Sequence, residues 1–127
     1  MSTVDTTVGV AMTPEVLGIV PGAPLEVALR MMVETGVRHL PVVDRGRCVG
    51  LLHESDVLWR LWSTAGAAPR AVMVARTPVV SVTVSDDMRT VARRMVDAET
   101  DAAVVTEDGR IVGIVTVTDL LHRLAEG

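Results

Sequence analysis

An internal repeat constrains this sequence more than any other feature. When the chain is shifted against itself by 63 residues without gaps, Gly50 aligns with Gly113. In the same register Asp56 aligns with Asp119. Identities can arise by chance in a chain rich in Val and Arg, but these fall at glycines, at an aspartate and where the hydrophobic pattern changes period. The sequence therefore predicts two copies of one small unit.

Each copy shows the same order of secondary-structure signals. A short apolar stretch, 16–20 or 79–82, is typical of a strand. A helix signal follows, with Pro24 at its first position and Gly36 as its stop in copy one, and Ser85 as the N-cap in copy two. Two strand-like runs joined by a glycine-containing turn come next, and a short helix closes the copy. The predicted fold class is α/β (α+β), with two tandem β-α-β-β-α repeats.

The repeat also predicts the domain limits. Repeat one covers 8–63 and repeat two covers 71–125, while 64–70, rich in Ala and Gly with one Pro, is a linker. A single copy would leave one apolar face of its sheet exposed to water. We therefore expect the copies to pack through their sheets with an internal pseudo-two-fold.

Composition excludes several classes of protein. A net charge of -4, two Trp and no Phe or Tyr argue against a nucleic-acid polymer as partner, since phosphate backbones need clustered positive charge and single strands need aromatic stacking. One cysteine permits no intrachain disulfide. No apolar run approaches the ~20 residues of a membrane span, and the N-terminus lacks a signal-peptide layout. We expect a cytoplasmic protein with no membrane partner.

The duplicated motifs resemble those of the CBS domain, and the tandem resembles a Bateman module. The residues that carry the resemblance are Met12-Thr13-Pro14, the run Gly36 to Asp44 (GVRHLPVVD), Gly50 to Asp56 (GLLHESD) and Gly113 to Asp119 (GIVTVTD). The chain is identified as a stand-alone tandem CBS protein, over about residues 8 to 125. The resemblance implies a regulatory or sensory module that binds AMP, ADP, ATP or S-adenosylmethionine between its repeats. It also implies a homodimer, no required cofactor other than this regulatory ligand, and no catalysis.

The Thr116-x-x-Asp119 element has a direct chemical interpretation. A strand ends at Thr116 and a helix begins just after it, so free backbone N–H groups and the helix dipole favour an anion there. The carboxylate of Asp119 can accept hydrogen bonds from the cis hydroxyls of a ribose. The alternative is structural: a Thr that caps the helix and an Asp placed favourably in its first turn.

By position within the family, the resemblance implies one well-matched cleft and one weaker cleft. In the first, Arg38 would pair with a phosphate and Gly18 would leave room for adenine. The predicted residues of this cleft are Thr13, Gly18, Val37, Arg38, His39, Ile114, Thr116 and Asp119.

The second cleft departs from the family pattern. His53 stands where Thr or Ser is expected, and Asp101 is the counterpart of Arg38, so a phosphate would meet a carboxylate. A protonated His53 would partly offset Asp101 and make this cleft sensitive to pH; the alternative is a histidine that only ends a strand. The residues of this weaker cleft are His53, Asp56, Arg76, Ser81, Thr100, Asp101 and Ala102. His39 and His53 with Asp56 or Asp101 could be taken for a set of metal ligands, but they are scattered in the sequence, and no metal site is predicted.

Two functions other than nucleotide sensing are considered for this sequence. An enzyme is not expected, because no paired general acid and base, phosphate loop or activated nucleophile is visible. A ligand-free module for dimerisation or partner interaction is the alternative to a nucleotide sensor. Trp59 and Trp62 are placed on one face of the helix that closes repeat one, where they either form a dimer contact or pack within the chain.

Overall fold

The structure is a computed structural model that describes residues 6–14, 16–63, 65–66 and 69–126. The chain forms two compact units, both with mixed strands and helices. One is continuous, Leu17–Val79; the other combines the chain up to Val16 with the chain from Val80 onward, and we call it the Val80 unit. In chain order the elements are a 3-10 helix (Val8–Val10), β1 (Thr13–Pro14), α1 (Leu25–Thr35), β2 (His39–Asp44), β3 (Arg47–His53), α2 (Glu54–Ser63), α3 (Ala71–Val74), β4 (Ser81–Thr83), α4 (Met88–Asp97), β5 (Ala102–Glu107), β6 (Arg110–Thr116) and α5 (Val117–Glu126).

Each unit is built on a β-hairpin, and the two hairpins have the same register. β2 pairs antiparallel with β3, β5 pairs antiparallel with β6, and each ladder has a bulge at the equivalent place, Val42/Val43 and Val105/Thr106. Arg45-Gly46 and Asp108-Gly109 lie between the strands with positive φ, as a two-residue primed turn requires. The structure thus confirms the predicted repeat down to the irregularity in its ladder.

The start of α1 differs slightly from the prediction. Pro24 is the N-cap, with an extended backbone (φ −63°, ψ 148°), and Leu25 is the first helical residue. Gly36 ends the helix as predicted, with φ 75° and its N–H donating to the carbonyl of Met32 at 2.8 Å. A residue without Cβ adopts this left-handed conformation at little cost.

The predicted N-cap of α4 was wrong. The cap is Asp87, whose carboxylate accepts from the N–H of Arg89 at 3.0 Å, and not Ser85. Ser85 lies in the preceding turn, where its hydroxyl is 3.3 Å from that of Thr83. Asp86 also serves this turn, since its carboxylate accepts from the N–H of Thr83 at 2.8 Å.

Short extended segments complete each sheet. In the Val80 unit the strand order is β1-β6-β5-β4, with β4 parallel to β5 and β1 antiparallel to β6. In the Leu17–Val79 unit the equivalent positions are single bridges, Ile19 to Val42 and Arg76 to Leu51. Of the strand predicted over 16–20, only Ile19 forms a bridge. The strand predicted over 79–82 begins two residues later, as β4.

The core of each unit is aliphatic, as a chain without Phe or Tyr requires. In the Leu17–Val79 unit Leu25, Met32 and Leu52 are fully buried together with Ala71 of α3. In the Val80 unit Val8 is buried with Val91, Met95 and residues of β5 and β6. Each cluster thus includes the first residue of the other sequence repeat: Ala71 in the Leu17–Val79 unit and Val8 in the Val80 unit.

The compact units and the sequence repeats divide the chain differently. The units follow contacts, whereas the limits 8–63, 64–70 and 71–125 follow sequence similarity and stay a prediction. Three of the linker residues, 64, 67 and 68, lie outside the described residues. In the part of the chain that is described, no helix has the length and apolar character needed to cross a bilayer.

Candidate functional site

The junction between β6 and α5 holds Thr116 and Asp119 in a reciprocal arrangement. The N–H of Thr116 donates to Oδ2 of Asp119 at 2.8 Å, and the N–H of Asp119 donates to Oγ1 of Thr116 at 3.2 Å. This is the geometry of a capping box, in which the first and fourth residues of a helix start satisfy each other's backbone donors. The capping interpretation of these residues therefore describes real contacts.

The capping box leaves polar groups at the junction available. Oδ1 of Asp119 accepts no hydrogen bond from the described residues, and the hydroxyl hydrogen of Thr116 is not used by the cap. Both side chains are partly exposed. A carboxylate oxygen and a hydroxyl donor thus stand together at the positive end of α5, so the cap and a polar ligand do not compete for the same atoms.

Gly113 brings a second backbone segment close to this junction. Thr13 pairs with Ile114 and Pro14 with Gly113 in the β1–β6 ladder. A Cβ on Gly113 would lie 2.9 Å from the carbonyl oxygen of Thr13 and against Sδ of Met12. Only glycine permits this approach, which places Thr13 beside Ile114, two residues before Thr116.

The equivalent junction between β3 and α2 has different chemistry. His53 is 4% exposed and stands where Thr116 stands in the other unit. Asp56 binds Arg76 through both carboxylate oxygens, with Nε–Oδ2 at 2.7 Å and Nη2–Oδ1 at 3.1 Å. The hydrogen bond and charge of Arg76 hold the pKa of Asp56 below its usual value of 3.8.

The residues that precede each hairpin lie beside the start of the closing helix in the same unit. The carbonyl of Arg38 accepts from the N–H of Glu54 at 2.9 Å, and that of Asp101 accepts from the N–H of Val117 at 2.9 Å. The two junctions thus share the same backbone hydrogen bond. The residue that accepts it carries a positive side chain in one unit and a negative side chain in the other. The positively charged Arg38 belongs to the Leu17–Val79 unit and the negatively charged Asp101 to the Val80 unit.

His39 and His53 face each other across the β2–β3 ladder. They are register partners, and their rings meet edge to face with centroids 4.7 Å apart. The equivalent pair in the other hairpin is Ala102 and Thr116. One hairpin therefore ends in two imidazoles where the other ends in a methyl and a hydroxyl, and the prediction that these residues form no metal site stays a prediction.

Gly18 has a packing reason that the sequence did not reveal. A Cβ there would lie 2.8 Å from Cγ2 of Val43 and 3.5 Å from the carbonyl oxygen of Pro41. The neighbouring N–H of Ile19 donates to that same carbonyl at 2.9 Å. The glycine thus lets the chain pass close to β2 without displacing the Val43 side chain, independently of any ligand. Val37 is partly buried against the core of the same unit.

The other residues of the weaker predicted cleft lie around β4 and β5. Ser81 is the register partner of Val104, and its carbonyl accepts from Nη1 of Arg94 at 2.8 Å. The hydroxyl of Thr100 donates to the carbonyl of Ala102 at 3.2 Å and so shapes the entry to β5. Both side-chain donors thus bind backbone carbonyls of the Val80 unit.

The predicted cleft residues distribute evenly between the units. The Val80 unit brings together Thr13, Ile114, Thr116 and Asp119 with Ser81, Thr100, Asp101 and Ala102. The Leu17–Val79 unit brings together Gly18, Val37, Arg38 and His39 with His53, Asp56 and Arg76. Each unit thus carries residues of both predicted clefts. The bidentate contact between Arg76 and Asp56 was missed at the sequence level, although the opposite charges of two residues assigned to one cleft were a usable signal.

A duplicated hairpin-and-helix unit with a polar strand-to-helix junction in each copy defines a tandem α+β repeat protein. The family model of the CBS domain matches residues 7–63 and again 71–126. The chain belongs to the CBS-domain family and contains two CBS domains, as the sequence predicts.

Comparison with known proteins gives the same result. The chain is 36% identical over 124 residues to the magnesium transporter MgtE of Thermus thermophilus, covering 91% of this chain and 26% of the transporter. It is similar to the crystal structure of the cytosolic domain of the Mg2+ channel MgtE in complex with ATP, with TM-score 0.76, 31% identity and coverage of 94% of this chain and 49% of that one. The CBS domain pair of protein MJ0100, in complex with 5'-methylthioadenosine and S-adenosyl-L-methionine, shares the fold with TM-score 0.84, 21% identity and coverage of 97% and 98%.

The chain is shorter than the curated relatives it matches. It spans 26% of MgtE and 45% of the protein MJ1225 of Methanocaldococcus jannaschii, to which it is 32% identical over 126 residues. The shared part is therefore the CBS pair.

Proposed function

We propose that this protein is a regulatory module that binds an adenosine-type nucleotide: AMP, ADP, ATP or S-adenosylmethionine. The observation that carries the proposal is the β6–α5 junction, where Asp119 keeps one carboxylate oxygen and Thr116 keeps its hydroxyl hydrogen outside the capping box. The structures with S-adenosylmethionine and with ATP support it, because both belong to CBS proteins of this fold. No catalytic step is part of the proposal.

In this proposal each polar group has a role set by its chemistry. Asp119 accepts hydrogen bonds from the ribose hydroxyls. The hydroxyl of Thr116 donates to a phosphate oxygen or, in S-adenosylmethionine, to the carboxylate. Arg38 supplies positive charge for a phosphate, and His39 offers ring nitrogens for hydrogen bonds. The remaining residues, Thr13, Gly18, Val37 and Ile114, form backbone and apolar surface for the base.

The second set of residues is proposed to form a weaker site. Asp56 already binds Arg76, and His53 offers an imidazole in place of a hydroxyl. We therefore expect unequal occupancy, with the Asp119 site filled first.

Thermal unfolding with a nucleotide panel tests the proposal. AMP, ADP, ATP and S-adenosylmethionine are added separately at millimolar concentration; one of them should raise Tm, with a stabilisation of about 2.7 kcal/mol at a hundredfold excess over Kd. Asp119→Asn should abolish the ligand-induced rise while it preserves a carbonyl oxygen for the cap.

Two control variants separate binding from stability. Asp87→Ala removes the cap of α4 in the same unit and should lower the unliganded Tm but retain the ligand-induced rise. Asp56→Ala should retain more of the rise than Asp119→Asn. If no compound of the panel raises the Tm of the unmodified protein, the proposed function is wrong.

A ligand-free module for dimerisation or partner binding is the second candidate, favoured by the exposed tryptophans of α2. Trp59 is 68% exposed and Trp62 is 89% exposed, far more than large aromatic side chains usually are. In that case Tm would depend on protein concentration and not on nucleotides. A homodimer is also compatible with the nucleotide proposal, and we propose a cytoplasmic location for either function because the similar MgtE domain is cytosolic.

A further inference from the structure

The two strand-to-helix junctions differ at one residue that approaches them from a separate segment. The 63-residue shift aligns Thr13 with Arg76 and Ile114 with Leu51. The structure realises this equivalence: Thr13 is the antiparallel partner of Ile114, and Arg76 is the antiparallel bridge partner of Leu51. A short neutral side chain thus approaches one junction, and a long cationic side chain approaches the other from the same backbone position.

Two backbone hydrogen bonds hold Arg76 beside Leu51, independently of its side chain. Its N–H donates to the carbonyl of Leu51 at 2.9 Å, and its carbonyl accepts from the N–H of Leu51 at 3.1 Å. Gly50 makes this approach feasible, because a Cβ there would lie 2.7 Å from Cβ of Ala75. The Arg76 side chain therefore starts from a fixed backbone position within reach of Asp56.

The contact uses the atoms that a ribose would need. Both carboxylate oxygens of Asp56 accept from Arg76, whereas Asp119 gives only Oδ2 to its own cap. A bidentate ion pair holds the carboxylate by two parallel bonds from a cation, whereas each ribose hydroxyl is a neutral donor. Two ribose hydroxyls would have to replace the guanidinium, and they bring no charge to compensate the carboxylate.

We propose that Arg76 is the specificity-determining residue that restricts this protein to one nucleoside site per chain, because it occupies the carboxylate of Asp56. This inference rests on the proposed function and adds to it the residue that makes the two junctions unequal. If this is right, replacing Arg76 by threonine, the residue found at the equivalent position 13, should make a second nucleoside site available.

Calorimetric stoichiometry tests this directly. AMP, ATP and S-adenosylmethionine are each titrated into the unmodified protein, into Arg76→Thr and into Arg76→Gln, the second variant serving if the first does not fold. We expect about one bound molecule per chain in the unmodified protein and about two in the variants. The double variant Arg76→Thr with Asp56→Ala should return to one, since the added site depends on Asp56.

The outcomes separate this proposal from the proposed function. Two molecules bound to the unmodified protein, or one still bound to the Arg76 variants, would overturn the role of Arg76 and leave the proposed function intact. If the unmodified protein binds none of the three compounds, the proposed function fails. In that case one molecule bound by Arg76→Thr but not by the double variant would still support the role of Arg76, and none bound would overturn it.

Discussion

At the scale of single residues, Asp56 and Asp119 occupy equivalent positions, yet their carboxylates accept hydrogen bonds from different groups. Asp119 completes a cap within its own helix start, and Asp56 holds a guanidinium from another segment. The sequence predicted that these aspartates lie at strand-to-helix junctions, because their i, i+3 spacing from the end of a strand is local. It did not predict which carboxylate would be occupied, since that depends on where the short segment with Arg76 packs.

The ion pair of Asp56 should make stability depend on pH in a defined direction. Because Arg76 lowers the pKa of Asp56 in the folded protein, the pair stabilises the fold above the unfolded pKa of about 3.9, and this contribution is lost as pH falls through the folded pKa. The Arg76 side chain is 50% exposed, so the contribution stays below about 1 kcal/mol.

Urea unfolding of the unmodified protein and of Asp56→Asn measures this contribution. The difference in free energy of unfolding should be largest near pH 6 and should shrink toward pH 3, about the range in which the carboxylate becomes protonated. A difference that is constant or grows toward low pH contradicts the assignment.

At the scale of elements, the predictable parts are those with a local pattern. The helices α1 and α4 follow from apolar periodicity, and the hairpin turns follow from glycines that tolerate positive φ. The two-residue strand β1 and the bridge at Arg76 carry no periodicity, because such short segments gain their hydrogen bonds only from a partner that is distant in sequence. The cap of α4 was misplaced for a related reason: three consecutive residues with side-chain acceptors, Ser85 to Asp87, compete for the role, and tertiary packing decides.

The position of this cap gives a test with a matched control two residues away. Asp87→Ala should destabilise the protein by about 1 kcal/mol, because the N–H of Arg89 loses its acceptor. Ser85→Ala should change stability by less than about 0.5 kcal/mol, since the hydroxyl of Ser85 is exposed and, among the described residues, hydrogen-bonds to the hydroxyl of Thr83 alone. Chemical denaturation of the two variants measures both; equal losses would mean that the cap is shared between the two residues.

At the scale of the whole molecule, the contacts of each compact unit cross the limits of the sequence repeats. The segment 71–76 belongs by sequence to the start of repeat two, yet Ala71 is fully buried in the core of the Leu17–Val79 unit. Its backbone is also bound there, with the N–H of Ala71 on the carbonyl of Ala23 at 2.8 Å and that of Val72 on the carbonyl of Pro21 at 3.1 Å. The unit that folds is therefore longer at its C-terminal end than the repeat.

Two fragments that differ only by residues 64–79 test the contribution of this part of the chain. A fragment 17–79 should be more stable than a fragment 17–63 by about 2 to 4 kcal/mol, because the shorter one lacks five backbone hydrogen bonds: that of Leu25 to Pro69, those of Ala71 and Val72, and the pair between Leu51 and Arg76. The shorter fragment also lacks Ala71, so a cavity remains in the core where its methyl group packs. Circular dichroism during urea unfolding measures the difference. Equal stability of the two fragments would show that residues 64–79 contribute no stability to this unit.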